Sequence, residues 1–410
     1  MNDFEKLKKR IDSFKELMID MQIKLTAIPA LSPSNGGEGE YRKAEFLKNF
    51  LKEIGFDEIK EINAPDPEAY GGIRPNLVAL YRGKSSKKTI WIMTHMDIVP
   101  PGELSLWTQN PYKAWIENGK IFGRGVEDNQ QEMIASLFAI KALKEEKITP
   151  NCNVGAVLVS DEETGSEKGI IYVLKTSPDI FKRDDLIIVP DAGNPDGTMI
   201  EVAEKSILWL KFKVIGKQTH GSRPHTGINS FKAGANLIVK LDNLYGEFGL
   251  NNPIFDPPVS TFEPTKKEPN VPNVNTIPGE DAFYFDCRIL PEFSLEDVEK
   301  KVQEYCEEIE KKFGVKISFS SVHRLPSAPP TPLDAPVVQA LKKAIKDVYG
   351  KDAFPVGIGG GTVAAYFRKA GHYVAVWSKM EEMAHQPNEY CILDNMVGDS
   401  KVYAHLFLQE

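Results

Sequence analysis

His95 and Asp97 stand one residue apart at the end of an apolar run, residues 89–93, which follows the turn-like Gly83-Lys84-Ser85-Ser86 and predicts a buried strand. Side chains alternate along a strand, so the two project to the same side. There a carboxylate can hold an imidazole in the tautomer that a metal ion requires. A hydrogen-bonded histidine at a strand end would show the same pair, but four later turns add to it. Gly123-Arg124-Gly125-Val126-Glu127-Asp128 opens a predicted helix, where Asp128 taken alone reads as an N-cap. Ser160-Asp161-Glu162-Glu163-Thr164-Gly165 leaves the predicted strand 153–159; of two adjacent glutamates, one can ligate while the other moves protons. Asp191 follows the apolar strand 186–189, and Ala384-His385-Gln386-Pro387-Asn388-Glu389 comes soon after the strand 373–376. A charged turn after a strand is ordinarily just solvated. Four of them at strand exits of one alternating domain point to a shared metal site.

The elements that must position these groups alternate between strand (76–81, 89–93, 153–159, 186–189) and helix (41–54, 129–144, 170–175). That pattern implies an α/β fold with a mixed, mostly parallel sheet flanked by helices, in which ligands collect beyond the carboxyl ends of the strands. Near Lys205 the pattern changes. Leu208, Leu210, Phe212 and Val214 alternate with Trp209, Lys211, Lys213 and Ile215, as in a half-exposed antiparallel strand. With helix 230–245, strand 281–289, helix 294–313, strand 315–320 and an edge strand expected around 271–277, this is an inserted α+β unit of β-α-β-β-α-β type. The predicted organisation is a first domain in two parts, 1–205 and 322–410, interrupted by 206–321. Helix 336–349, the turn Gly357-Ile358-Gly359-Gly360-Gly361 and helix 362–370 resume the first domain after a proline-rich linker. Residues 1–25 carry Phe4, Leu7, Ile11, Phe14, Met18 and Met21 at helical spacing, which predicts one amphipathic helix rather than a signal peptide.

Composition narrows the function. A chain of 410 residues suits two domains, and a formal charge of -8 without a basic stripe argues against nucleic acid or an anionic membrane. No stretch approaches the ~20 apolar residues of a membrane span. The 4 cysteines form no Cys-x-x-Cys pair, so reduced thiols in a cytoplasmic protein are expected. A Gly-x-Ser-x-Gly elbow is missing, which speaks against a serine hydrolase. The 357–361 turn lacks the Lys-Ser/Thr of a phosphate loop; close backbone approach to a carboxylate substrate fits it better.

The ordered set His95-x-Asp97, Gly123-Arg124-Gly125-x-x-Asp128, Glu162-Glu163-Thr164-Gly165, Asp191, Gly216-x-x-x-His220, Asp286-x-Arg288, Gly360-Gly361-Thr362 and His385-x-x-Asn388-Glu389 resembles one family over nearly the whole chain. It is the zinc aminoacylase and metallopeptidase family of acetylornithine deacetylase, succinyl-diaminopimelate desuccinylase and carboxypeptidase G. The resemblance implies that His95 and Asp191 hold one zinc, Glu163 and His385 a second, and that Asp128 bridges them. Two Zn²⁺ at roughly 3.5 to 4 Å, replaceable by Co²⁺ or Mn²⁺, would lower the pKa of a shared water toward ~7. Glu162 would act as general base and Asp97 would orient His95. The resemblance also implies oxyanion help from His220 or His225 of the inserted domain. It assigns the substrate's carboxylate to Asn275 and Arg288, although an ion pair on a strand is the plain alternative for Arg288. Gly360, Gly361 and Thr362 would border the substrate.

Three departures border the expected cleft: Asp128-Asn129-Gln130 in place of Asp-x-Lys, Val363-Ala364-Ala365 in place of Asp-Ala-Arg, and 377–383 in place of a Gly-Pro-Gly segment. None removes an expected ligand. The resulting expectation is a cytoplasmic homodimer, paired through the inserted lid domain, that hydrolyses an N-acyl amino acid or a short peptide with a free carboxylate. The alternative is a catalytically inactive metal or peptide binder on the same scaffold.

Overall fold

The run 89–93 grows at both ends into the strand Ser85–His95, which lies in the middle of an eight-stranded sheet. Its neighbours are Cys152–Val159 and Leu186–Gly193, and Val374–Ser378 follows beyond the latter; these four strands are mutually parallel. Glu58–Pro65 and Ile73–Tyr81 continue the sheet on one side, antiparallel, and Met199–Glu204 and Phe354–Ile358 close the other. All of Cys152–Val159 is buried, as expected of a strand covered on both faces. Helix Gln131–Glu145 is apolar nearly all round because it is sandwiched: it packs on the sheet and against Leu393–Phe407. On the other face Trp91 and Met93 join Ile170, Val173, Phe181 and Phe367 in one apolar cluster. Since the four central strands are parallel, their carboxyl ends share one rim, and the segments bearing Asp97, Glu162-Glu163 and His385 leave from it, with Asp191 at the end of its strand; the turn bearing Asp128 does not, because it follows Lys120–Phe122 of a separate three-stranded sheet.

This computed structural model describes residues 2–409, which form two compact units: one of 2–202, 331–355 and 363–409, the other of 203–330 and 356–362. The second unit therefore extends past the expected 206–321. Its strand Lys316–Leu325 runs further than 320, and the glycine turn is tied in by Arg288 Nη1 donating to Gly359 O at 2.9 Å and Thr362 N–H donating to Glu204 at 2.9 Å. Its antiparallel sheet has the order Thr261–Lys267, Glu280–Ile289, Ser206–Ile215, Lys316–Leu325, with helices Ser230–Leu241 and Leu295–Phe313. Leu208, Leu210, Phe212 and Val214 enter its core while Trp209, Lys213 and Ile215 stay exposed, the alternation read from sequence.

The edge strand expected at 271–277 is Thr261–Lys267 instead. Phe262 anchors it in the core, and the register shifts between Pro264 and Lys266, the edge-strand irregularity that accommodates a proline. Only Thr276–Ile277 of the expected segment is a strand, and it pairs with Thr219–His220 in a separate ribbon. The N-terminal stripe is carried by two helices, Asp3–Ser13 and Lys15–Thr26, because the turn at Phe14 tightens, its N–H reaching Ile11 O at 2.9 Å. Met1 of that expected helix lies outside the described residues. Among the described residues no helix is long and apolar enough to cross a membrane.

Candidate metal centre

His95 leaves its strand with the ring buried and both nitrogens engaged. Nδ1 lies 3.1 Å from the Asp97 carbonyl oxygen and 3.5 Å from Asp97 Oδ1; Nε2 lies 2.9 Å from Asp128 Oδ1 and 3.4 Å from Asp191 Oδ1. The main chain of Asp97 is thus a closer partner to His95 than its carboxylate is. That carboxylate accepts the backbone N–H of Glu162 at 3.1 Å and of Glu163 at 3.0 Å, so it fixes the turn bearing the glutamate pair.

Asp128 is not an N-cap. The following helix begins at Gln131, and Asp128 itself is extended, with φ -111 and ψ 90, which turns its side chain toward the rim. One oxygen meets His95; the other lies 3.3 Å from His385 Nε2, which also lies 3.0 Å from Glu163 Oε2. Two sets of ligand-type atoms lie within 4.8 Å of one another, His95 with Glu162 and Asp191, and His95 with Asp128 and Glu163. The five residues expected to hold metal therefore come together, with Glu162 beside them.

The electrostatics are those of a site with too little positive charge. Burial works against a protonated His95, yet the bonds to Asp128, Asp191 and Asp97 outweigh it and hold its pKa well above the usual value. Burial would raise Asp128, but His385 and His95 hold it well below the carboxylate range. Asp128 and Glu163 push His385 up to about 10. Burial first, then the charge of Asp128, raises Glu163 to about 7. Burial, followed by Asp191, sets Glu162 well above its ordinary value. The carboxylates of Asp97, Asp128, Glu162, Glu163 and Asp191 crowd about two imidazoles, and Glu163 Oε1 is buried with no hydrogen-bond partner. A nitrogen and oxygen donor set with an unused buried carboxylate oxygen fits a divalent cation.

Sequence reading missed the groups that hold these ligands. Asn129 donates to Asp191 Oδ1 at 3.1 Å and to Pro190 O at 2.7 Å, fixing Asp191 from the residue next to Asp128. Arg124 pairs with the buried Glu389 at 2.7 Å. Opposite charges inside two of the motif turns were the available signal for that pair; nothing in the sequence marked Asn129.

The remaining candidates belong to the second unit. His220 is exposed, its Nδ1 2.8 Å from Ser222 Oγ, and His225 lies exposed in the turn Pro224–Thr226. The Asn275 carbonyl accepts from Gly221 N–H at 2.7 Å. Arg288 is paired with Asp286 through Nε at 2.6 Å and Nη2 at 3.0 Å, so the plain alternative for this residue is realised and only part of the guanidinium is left for a ligand. Gly360, Gly361 and Thr362 follow Gly359, the acceptor of the third Arg288 bond.

Fold and site together define a metal-dependent hydrolase. Residues 91–409 match Peptidase family M20/M25/M40, and the chain belongs to that family. It is 43% identical to an uncharacterized metallohydrolase of Methanococcus maripaludis, over 94% of this chain and 97% of the relative. It is 26% identical to a succinyl-diaminopimelate desuccinylase of Polynucleobacter necessarius, over 92% and 95%. Its fold is shared with human carnosine dipeptidase 1, at a TM-score of 0.74 and 18% identity, covering 100% of this chain and 98% of that one.

Proposed function

We propose that this hydrolase uses two zinc ions to cleave the amide of an N-acyl amino acid or a short peptide bearing a free carboxylate. The observation that carries the reading is the placement of Asp128, one oxygen at His95 and the other at His385. In this reading His95 and Asp191 would hold one cation and Glu163 and His385 the other, with Asp128 shared between the two pairs. Bound there, the cations would polarise the scissile carbonyl and acidify a water. Glu162 takes the proton on its carboxylate and returns it to the leaving amine, a transfer that suits a carboxyl group beside the ligands and held in place through its own backbone by Asp97. Cobalt or manganese can serve in the same donor set.

Buried, unpaired thiols at all four cysteines support a reducing, cytoplasmic setting. Exposed Trp209, Ile215 and Val322 on the second unit's sheet support pairing of two copies through that unit. His220 or His225 supplies oxyanion stabilisation; alanine at the responsible position should lower kcat far more than it raises KM, and alanine at the other should do neither.

Cation-stripped protein reloaded with zinc should hydrolyse members of a panel of N-acetyl and N-succinyl amino acids and dipeptides, and should lose turnover when the carboxylate is amidated. Two equivalents of bound zinc without turnover of any substrate class would favour the inactive binder instead. The retained Glu162-Glu163 pair stands against that outcome.

A further inference from the structure

The segment that carries His385, between Ser378 and Glu389, has neither helix nor strand, and Glu382, His385 and Asn388 all adopt left-handed backbone, with φ of 58, 65 and 57. Such a path persists only where its surroundings over-determine it. Two buried carboxylates do this from opposite ends. Glu127, next to Asp128, accepts the backbone N–H of Glu381 at 2.6 Å and that of Met383. Glu389, four residues beyond His385, accepts the N–H of Gly125 at 3.0 Å, Glu127 at 2.9 Å and Asp128 at 3.2 Å, besides the Arg124 guanidinium. Each ligand's segment is thus held by a glutamate from the other's.

The Glu127 end lies outside the motif residues singled out above. It occupies an unspecified position of the Gly-Arg-Gly-x-x-Asp motif, and the residues it holds fall in 377–383, where the chain departs from the resembled pattern. Its hydrogen bonds go to backbone N–H groups while the adjacent arginine is given to Glu389, so a carboxylate is buried beside other carboxylates in order to hold a loop.

We infer that Glu127 and Glu389 are reciprocal positioning residues that set Asp128 against His385, and that they act unequally on the two cation positions. This rests on the two-cation reading above. Glu127 governs only the position served by His385. Glu389 governs both, because it fixes the backbone of the bridging Asp128.

The test is zinc binding by the stripped full-length protein, followed by competition with a chromophoric chelator. Wild type should take up two equivalents; a single equivalent would overturn the two-cation reading before any variant is made. Given two, Glu127→Ala should weaken one site by about 10- to 100-fold and leave the other within about twofold, and Glu127→Gln, which keeps one acceptor oxygen, should recover part of the loss. Glu389→Gln should weaken both sites. Equal weakening of both sites by Glu127→Ala, or no change in either, would overturn the inference while leaving two-cation binding intact. Should Glu389→Gln fail to fold, the two Glu127 variants still decide.

Discussion

Asp97 Oδ2 accepts the backbone N–H of Glu163 at 3.0 Å. With Oδ1 on the N–H of Glu162 at 3.1 Å, one carboxylate fixes both the proposed base and a proposed ligand through their main chain, from a position 65 residues before Glu162. Asp97→Asn replaces one acceptor by an NH₂ group that faces an N–H. Zinc affinity is expected to fall by about 10- to 100-fold with the fold retained. A chelator competition titration checks this; wild-type affinity in the variant would restrict Asp97 to a role in the fold.

Glu162→Gln removes the proton acceptor and leaves His95, Asp128, Glu163, Asp191 and His385 in place. The variant should bind zinc in the wild-type ratio and lose turnover by about 10²- to 10⁴-fold. Metal content and kcat measured on one preparation separate the two effects. Turnover within twofold of wild type would assign the proton transfer to another group.

Lys43 is buried and its Nζ has no hydrogen-bond partner. Burial lowers its pKa from 10.5 to about 8 despite the pull of Asp97, Glu40 and Glu389. Between these two values the unfolded chain holds the extra proton, so this residue makes stability rise with pH across that window. Below it, the buried charge costs about 3 kcal/mol. Lys43→Met should therefore raise the thermal midpoint at pH 7 by several degrees, and the advantage should shrink toward pH 10. An advantage of the same size at both pH values would refute this account.

Arg368 and Glu201 form a fully buried bidentate pair, with both bonds at 2.9 Å, behind the strand Val374–Ser378. Arg368→Met removes both of these bonds from a buried carboxylate and should cost about 3 to 5 kcal/mol in urea unfolding. Adding Glu201→Gln should recover a substantial part. A single variant as stable as wild type would refute this cost.

Much of this architecture was legible because it is local. Helix Pro336–Tyr349 begins on a proline and stops at Gly350 in the left-handed region, and Tyr41–Ile54 stops in the same way at Gly55, so their bounds follow from residue type. The fourth strand of the second unit was not legible. Thr261–Lys267 contains a proline and five exposed residues, and a single buried phenylalanine ties it to the sheet. Asp128 resembled a cap because an aspartate before a helical pattern normally is one, and only its φ and ψ remove it from that role.

By itself the sequence determined which side chains stand in the ligand-bearing turns and, through the alternation of strand and helix, that the exits of the parallel strands lie along one rim. Periodicity and turn chemistry act over a few residues and are written into the order of the chain. Tertiary structure alone decided what each group touches: that the Asp97 carboxylate serves the backbone of the glutamate pair more closely than it serves His95, and that Glu127 and Glu389, 262 residues apart, hold each other's segments. Such pairings depend on how whole helices and strands pack together, and no local pattern encodes a hydrogen bond across that span.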